Sequence, residues 1–216
     1  REVVESPAHL SPPIVDKPGY PAQVYEMAVM PYEGLYVGFP VLFNPAGAIP
    51  PPRGNHNGLN QVELAVSRDL YNWERVANRE LFLGVLPWDG ETYDTSQLLV
   101  SGRPLVREDL GEIWVYYRAC RFRSYRDQHD ESYGKYFDDL NAVSLAKVRL
   151  DGFVSLDAER KGELVTSSFM LREGDVYVNT HSLNGELRAE LLDAETMESI
   201  QGMSLDDCNS ISADEL

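Results

Sequence analysis

The chain has 216 residues, 35 acidic against 19 basic, for a formal net charge of −16. An excess of that size works against nucleic acid and anionic membrane surfaces, which need a basic face. It suits a soluble surface and leaves room for a neutral or cationic ligand. Hydrophobic content of 43% and aromatic content of 10% belong to a chain that buries a core, and no apolar run approaches the ~18 residues of a membrane span.

Residues 1–19 carry Pro7, Pro12, Pro13 and Pro18 and no apolar signal core, so they read as an extended linker. Strand signals dominate residues 20–157. Apolar and aromatic runs at 24–30 and 34–43 are split by the turn Pro31-Tyr32-Glu33. A breaker-rich loop spans 44–60, with Pro45, Gly47, Gly54 and Gly58 among its residues. A third strand at 61–67 leads through Arg68-Asp69-Leu70-Tyr71-Asn72 into a fourth at 73–76, with Trp73 as a packing aromatic; Asp and Asn favour such turns because they hydrogen-bond their own backbone. The pattern then recurs: strands at 95–100 and 113–119, a polar loop at 120–141, a third strand at 142–150, and the turn Asp151-Gly152 into 153–156. From 158 to 216 the strands shorten to 163–170, 175–180, 186–193 and 200–205, which suits part of an antiparallel β-sandwich. The one helix-like window is 191–199.

The recurrence is a repeat whose counterparts drift apart as loops lengthen: Tyr25 with Tyr93, Tyr36 with Val115, Leu64 with Leu145, Asp69 with Asp151. Four-stranded units in tandem imply the blades of a β-propeller. The expected fold is therefore all-β: two propeller blades over 20–157, then a partial sandwich over 158–216. In such a fold the entry into each inner strand and the loop between strands two and three lie at one face. That face gathers Tyr25, Glu26, Tyr93 and Asp94 with His56, Arg118 and Arg121. Asn55, Asn57, Arg123, Arg126 and His129 ride on the same loops. Acids, amides, arginines and aromatics together suit sugar, because hydroxyls take bidentate polar contacts and ring faces stack on aromatics. Glu26 and Asp94 are the candidate catalytic carboxylates, since glycoside hydrolysis runs on such a pair. Tyr25, His56, Tyr93, Arg118 and Arg121 are the candidate substrate-binding residues.

Cys120 and Cys208 fall in different units and read as free thiols. The four histidines are scattered, so neither a metal site nor a cofactor is expected. Asp127, Asp130, Asp138 and Asp139 crowd the second loop without the spacing of a calcium-binding hand.

Leu64-Ala65-Val66-Ser67-Arg68-Asp69 followed by Asn72-Trp73 resembles the Ser-x-Asp…Trp turn of the five-bladed propeller glycosidases, a clan that includes invertases, fructanases and arabinanases. Residues 79–94, with Leu81-Phe82-Leu83 and Trp88-Asp89-Gly90, resemble the crossing between blades. Leu145-Ala146 and the stretch Arg149-Leu150-Asp151-Gly152-Phe153 look like the last blade and exit of bacterial family-32-like proteins, where a β-sandwich follows. The resemblance covers residues 20–205 and implies the last two of five blades. It also implies three catalytic acids: an Asp in the first blade, an Asp in the second and a Glu in the third. Tyr25-Glu26-Met27 is loosely similar to the clan's Glu-Cys-Pro acid motif, without its Cys and Pro, and the first Asp has no counterpart here. The expected partners are a carbohydrate and the remaining N-terminal blades, from the same protein or another chain. Sugar-active proteins of this kind are commonly exported, which favours an extracellular or periplasmic place. The alternatives are a propeller that binds carbohydrate without hydrolysing it, and an assembly or scaffold component.

Overall fold

The structure, a computed structural model, describes residues 22–45, 58–121, 139–171 and 176–215. Among them there is no α-helix, and the fold is all-β. The chain divides into two compact units, Arg1–Val154 and Ser155–Leu216. Within the first, β1 (Gln23–Tyr32), β2 (Leu35–Pro45), β3 (Gly58–Val62), β4 (Ala65–Ser67) and β5 (Glu74–Arg75) form an antiparallel meander. A second group is built on β8 (Glu112–Cys120), which takes β6 (Gln97–Leu99) and β7 (Leu105–Arg107) on one edge and β9 (Asn141–Arg149) on the other. One parallel bridge, Asn60 to Gln97, joins the two groups into a single mixed sheet.

Each group is organised by one long strand whose far edge is shared by two short ones. The first half of β2 pairs with β4, from Tyr36 to Gly38, and the second half with β3, from Val41 to Pro45. Pro40 sits where the pairing changes hands. Its carbonyl accepts from the Glu63 amide at 3.1 Å, so its missing N–H falls on the edge where the ladder is already interrupted, one of the few places a central strand tolerates proline. The β1–β2 turn lies two residues later than Pro31-Tyr32-Glu33 suggests. Pro31 stays in β1, an edge strand, and the reversal falls at Glu33-Gly34, both with positive φ (44° and 76°). Two left-handed residues make the hairpin turn whose twist matches the strands, and glycine supplies the second at no steric cost.

The sequence-expected turn at Ser67–Trp73 forms as a closed network. Ser67 Oγ accepts from the amides of Asp69 and Leu70 at 3.2 and 2.9 Å. Asp69 Oδ1 accepts from the amides of Tyr71 and Asn72, both at 2.8 Å, and Asn72 Nδ2 donates to Oδ2 at 2.6 Å. The Asn72 and Tyr71 amides draw the Asp69 carboxyl down to about 2. The turn delivers Trp73 onto β2, where its ring covers Gly38; a Cβ at Gly38 would stand 2.6 Å from Cζ3 of that ring.

The alternate residues of the central strands turn to one shared core. Met30, Phe39, Val41 and Val62 of the first group meet Leu98, Val100, Ile113 and Val115 of the second. After β9 the Asp151-Gly152 turn forms, but no strand follows it. Phe153 folds back against Tyr32, centroid to centroid at 5.2 Å, and against Phe39 at 6.5 Å. The Tyr32 hydroxyl donates to Asp151 Oδ1, and burial followed by that bond raises the phenol to about 12.

The second unit is a long irregular hairpin rather than a set of four strands. β10 (Thr180–His181) pairs with β11 (Asp214–Glu215), and isolated bridges join Leu187 to Ile211 and Leu192 to Ser199. Asp193 closes its tip by accepting from the amides of Glu195 and Thr196, both at 2.9 Å, so the helix-like window at 191–199 is a turn. Residues 155–171, including the whole of the expected strand 163–170, carry no regular structure and are exposed.

Two outcomes follow from this packing. Gly38→Val drives a side chain into the Trp73 ring and costs about 1–3 kcal/mol, read as a lowered urea midpoint with an unchanged m-value. Asp69 has a depressed folded-state pKa, so its stabilisation is present above its unfolded pKa of ~4 and disappears as pH falls through about 2. The gap in melting temperature between wild type and Asp69→Ala is therefore full at pH 5 and shrinks between pH 4 and pH 2.

Candidate functional site

The strand register brings the starts of β1 and β6 and the ends of β2 and β8 to one level of the sheet. Gln23 at the start of β1 stands opposite Phe43, Phe43 opposite Asn60, Asn60 beside Gln97, and Gln97 opposite Cys120. The chain leaves β2 and β8 for its long loops at this same level. Tyr25 is 59% exposed. Glu26 is half-buried and accepts at 2.8 Å from the Ser101 hydroxyl, just past β6, so the entry strand of one group is tied to that of the other. Asp94 Oδ2 accepts from the Tyr117 hydroxyl at 2.9 Å. Burial, then the neighbouring Asp94 carboxylate, push the Tyr117 phenol up to about 12, so it remains a donor across the physiological range.

Tyr93 and Arg121 form one unit with Asp139. The Arg121 side chain is 6% exposed. Its Nη1 donates to Asp139 Oδ2 at 2.7 Å and to the Asp139 carbonyl at 2.9 Å, its Nη2 to the Glu91 carbonyl and its Nε to the Thr92 carbonyl at 3.3 Å. The guanidinium also lies 4.1 Å from the centroid of the Tyr93 ring and 5.8 Å from that of Trp88. The Tyr93 hydroxyl donates to Asp139 Oδ1; this bond, with Arg121, holds the Asp139 carboxyl below its usual range. Arg121 thus serves as the mount that fixes residues 88–95, with its hydrogen-bonding groups turned to backbone and Asp139. Arg118 is exposed on β8 and donates to Asn141 Oδ1 at 3.0 Å. His56 lies outside the described residues, as do Asn55, Asn57, Arg123, Arg126, His129, Asp127, Asp130 and Asp138. Among the described residues no group of His, Cys, Asp and Glu is arranged to hold a metal ion.

Several polar residues of this end escaped the sequence reading. Tyr117 alternates with Ile113, Val115 and Ala119 on the buried face of β8, and a hydroxyl-tipped ring among aliphatics is the signal that marks a buried partner. Asn60 carries no such signal. It is fully buried, and neither Oδ1 nor Nδ2 has a hydrogen-bond partner. Arg75 Nη1 is similarly orphaned, although the rest of that guanidinium grips Glu63 in a buried bidentate pair.

No family model, curated protein or solved structure matches the chain.

An amide buried without partners weighs against the folded state by about 1–3 kcal/mol. Asn60→Leu, close in size and shape, therefore raises the denaturation midpoint, whereas Asn44→Leu, which breaks the bond from Asn44 Nδ2 to the Leu42 carbonyl, does not.

Proposed function

We propose that the chain is the C-terminal portion of a glycoside hydrolase-like β-propeller protein that receives a carbohydrate at the end of the sheet carrying Glu26 and Asp94. The two strand groups would be its last two blades, and the hairpin unit after Val154 part of the β-sandwich that follows. The observation that supports this reading is the common level of the starts of β1 and β6 and the end of β8: Gln23, Asn60, Gln97 and Cys120 align across the sheet. Glu26 and Asp94 are both half-buried, and each is held by a single hydroxyl donor, Ser101 just past β6 and Tyr117 on β8. A carboxylate has about four acceptor sites, so Glu26 and Asp94 retain most of their capacity for sugar hydroxyls. The acidic balance of the chain favours a neutral sugar over an anionic one.

A second reading, binding without hydrolysis, draws on the same geometry: the first-blade Asp of the resembled clan has no counterpart in this sequence. Hydrolysis of arabinan- and fructan-derived oligosaccharides, followed by reducing-end release, separates the two. Under the enzyme reading, Glu26→Gln and Asp94→Asn each lower turnover by at least about a hundredfold while binding by calorimetry stays within a few-fold. Binding without turnover in the wild type selects the second reading. Absence of both in the wild type defeats the carbohydrate assignment.

A further inference from the structure

The three tryptophans have different surroundings. The Trp73 ring lies on Gly38 and its Nε1 donates to the Leu70 carbonyl at 3.1 Å. Trp114 donates to Glu112 and has Arg107 4.5 Å and Lys147 5.0 Å from its ring. Trp88 is 46% exposed, yet it does not sit on a loose loop. Arg121, itself buried, approaches its ring and binds the backbone of Glu91 and Thr92 just beyond it. Asp89 tightens the same turn by accepting from the amides of Glu91 and Thr92 at 2.8 and 2.7 Å. Both bonds use Oδ1, which leaves the acceptor sites of Oδ2 for another donor.

An exposed indole on a rigid mount, next to a carboxylate with spare acceptor sites, matches the two demands of a sugar ring. The C–H face of the ring stacks on the aromatic surface, and its edge hydroxyls donate to the acid. We propose that Trp88 and Asp89 form a binding platform for one ring of a neutral oligosaccharide, with Arg121 and Tyr93 as the residues that position it. The proposal rests on the carbohydrate reading above and adds a subsite to it. Charge selects the ligand within that class: Asp89, Glu91 and Asp94 lie within this segment and Asp139 neutralises Arg121, so uronic and sulfated sugars are disfavoured.

The test titrates the full chain with defined neutral oligosaccharides from arabinan and fructan, by calorimetry and by tryptophan emission. The platform predicts an emission change in the wild type that is lost in Trp88→Phe, because Trp73 and Trp114 lie elsewhere. Trp88→Ala weakens binding at least about tenfold, Trp88→Phe by no more than about threefold, and Asp89→Asn, which keeps the turn acceptor, by an intermediate factor. Melting temperatures of the Trp88 variants stay close to that of the wild type, since the ring lies at the surface. If the wild type binds and Trp88→Ala binds equally well, the platform is wrong and the carbohydrate reading stands. If the wild type binds none of these sugars, both fall together.

Discussion

The structure depends on two strand groups of one mixed sheet burying their apolar side chains in a shared core. Neither has a helical layer among the described residues, and each is too narrow to hide its own inner face. Met30, Phe39, Val41 and Val62 from one side and Leu98, Val100, Ile113 and Val115 from the other form a single cluster, with every one of these residues nearly or wholly out of solvent. Among the described residues one ladder bridge joins the strands of the two groups, so side-chain burial carries most of the association, at roughly 1.5–3 kcal/mol for each large aliphatic or aromatic side chain buried. Phe153 and the bond from Tyr32 to Asp151 close the same contact at the opposite end from the candidate site.

That constraint explains the placement of the polar groups. Once the two strand groups are packed together, the starts of β1 and β6 and the end of β8 share one level, and side chains with no apolar partner must pair locally or face out. Glu63 pairs with Arg75 and Arg121 with Asp139, so these charges are absorbed into the framework. The Glu63–Arg75 pair is buried on both sides, whereas in the Arg121–Asp139 pair the arginine is buried and the carboxylate exposed; a buried pair is weak evidence for stability. Glu26 and Asp94 differ: each takes one hydroxyl donor and neither meets a cation in an ion pair among the described residues.

Much of this was legible in the sequence because it depends on short-range pattern. The apolar alternation of 113–119 fixes β8, and Ser67-Arg68-Asp69 with Asn72-Trp73 specifies a turn whose hydrogen bonds are all local. The first hairpin reversal was misplaced because Pro31 reads as a breaker, while an edge strand can absorb it and Glu33-Gly34 has the backbone freedom the turn needs. Residues 163–170 have strand-like composition but find no ladder partner, and composition alone does not supply one. The part of Arg121 was hidden for a different reason. Its partners, the carbonyls of Glu91 and Thr92 and the Asp139 carboxylate, come from two separate stretches of chain, and no spacing rule connects them to a loop arginine.

Arg118, Arg121, Arg123 and Arg126 stand close together in the sequence, and the structure divides the two it describes. Arg118 ends at the surface on a neutral amide, while Arg121 turns inward and holds the segment that presents Trp88, Tyr93 and Asp94. A charge that orders a loop from beneath contributes to recognition without touching the ligand, because a pre-ordered surface loses less entropy on binding than a mobile one. Glu26 and Asp94 remain half-satisfied. Tyr117 and Ser101 fix one oxygen of each acid. The buried cation is spent on holding backbone carbonyls in place, and the two acids are left with hydroxyl donors rather than with a cation.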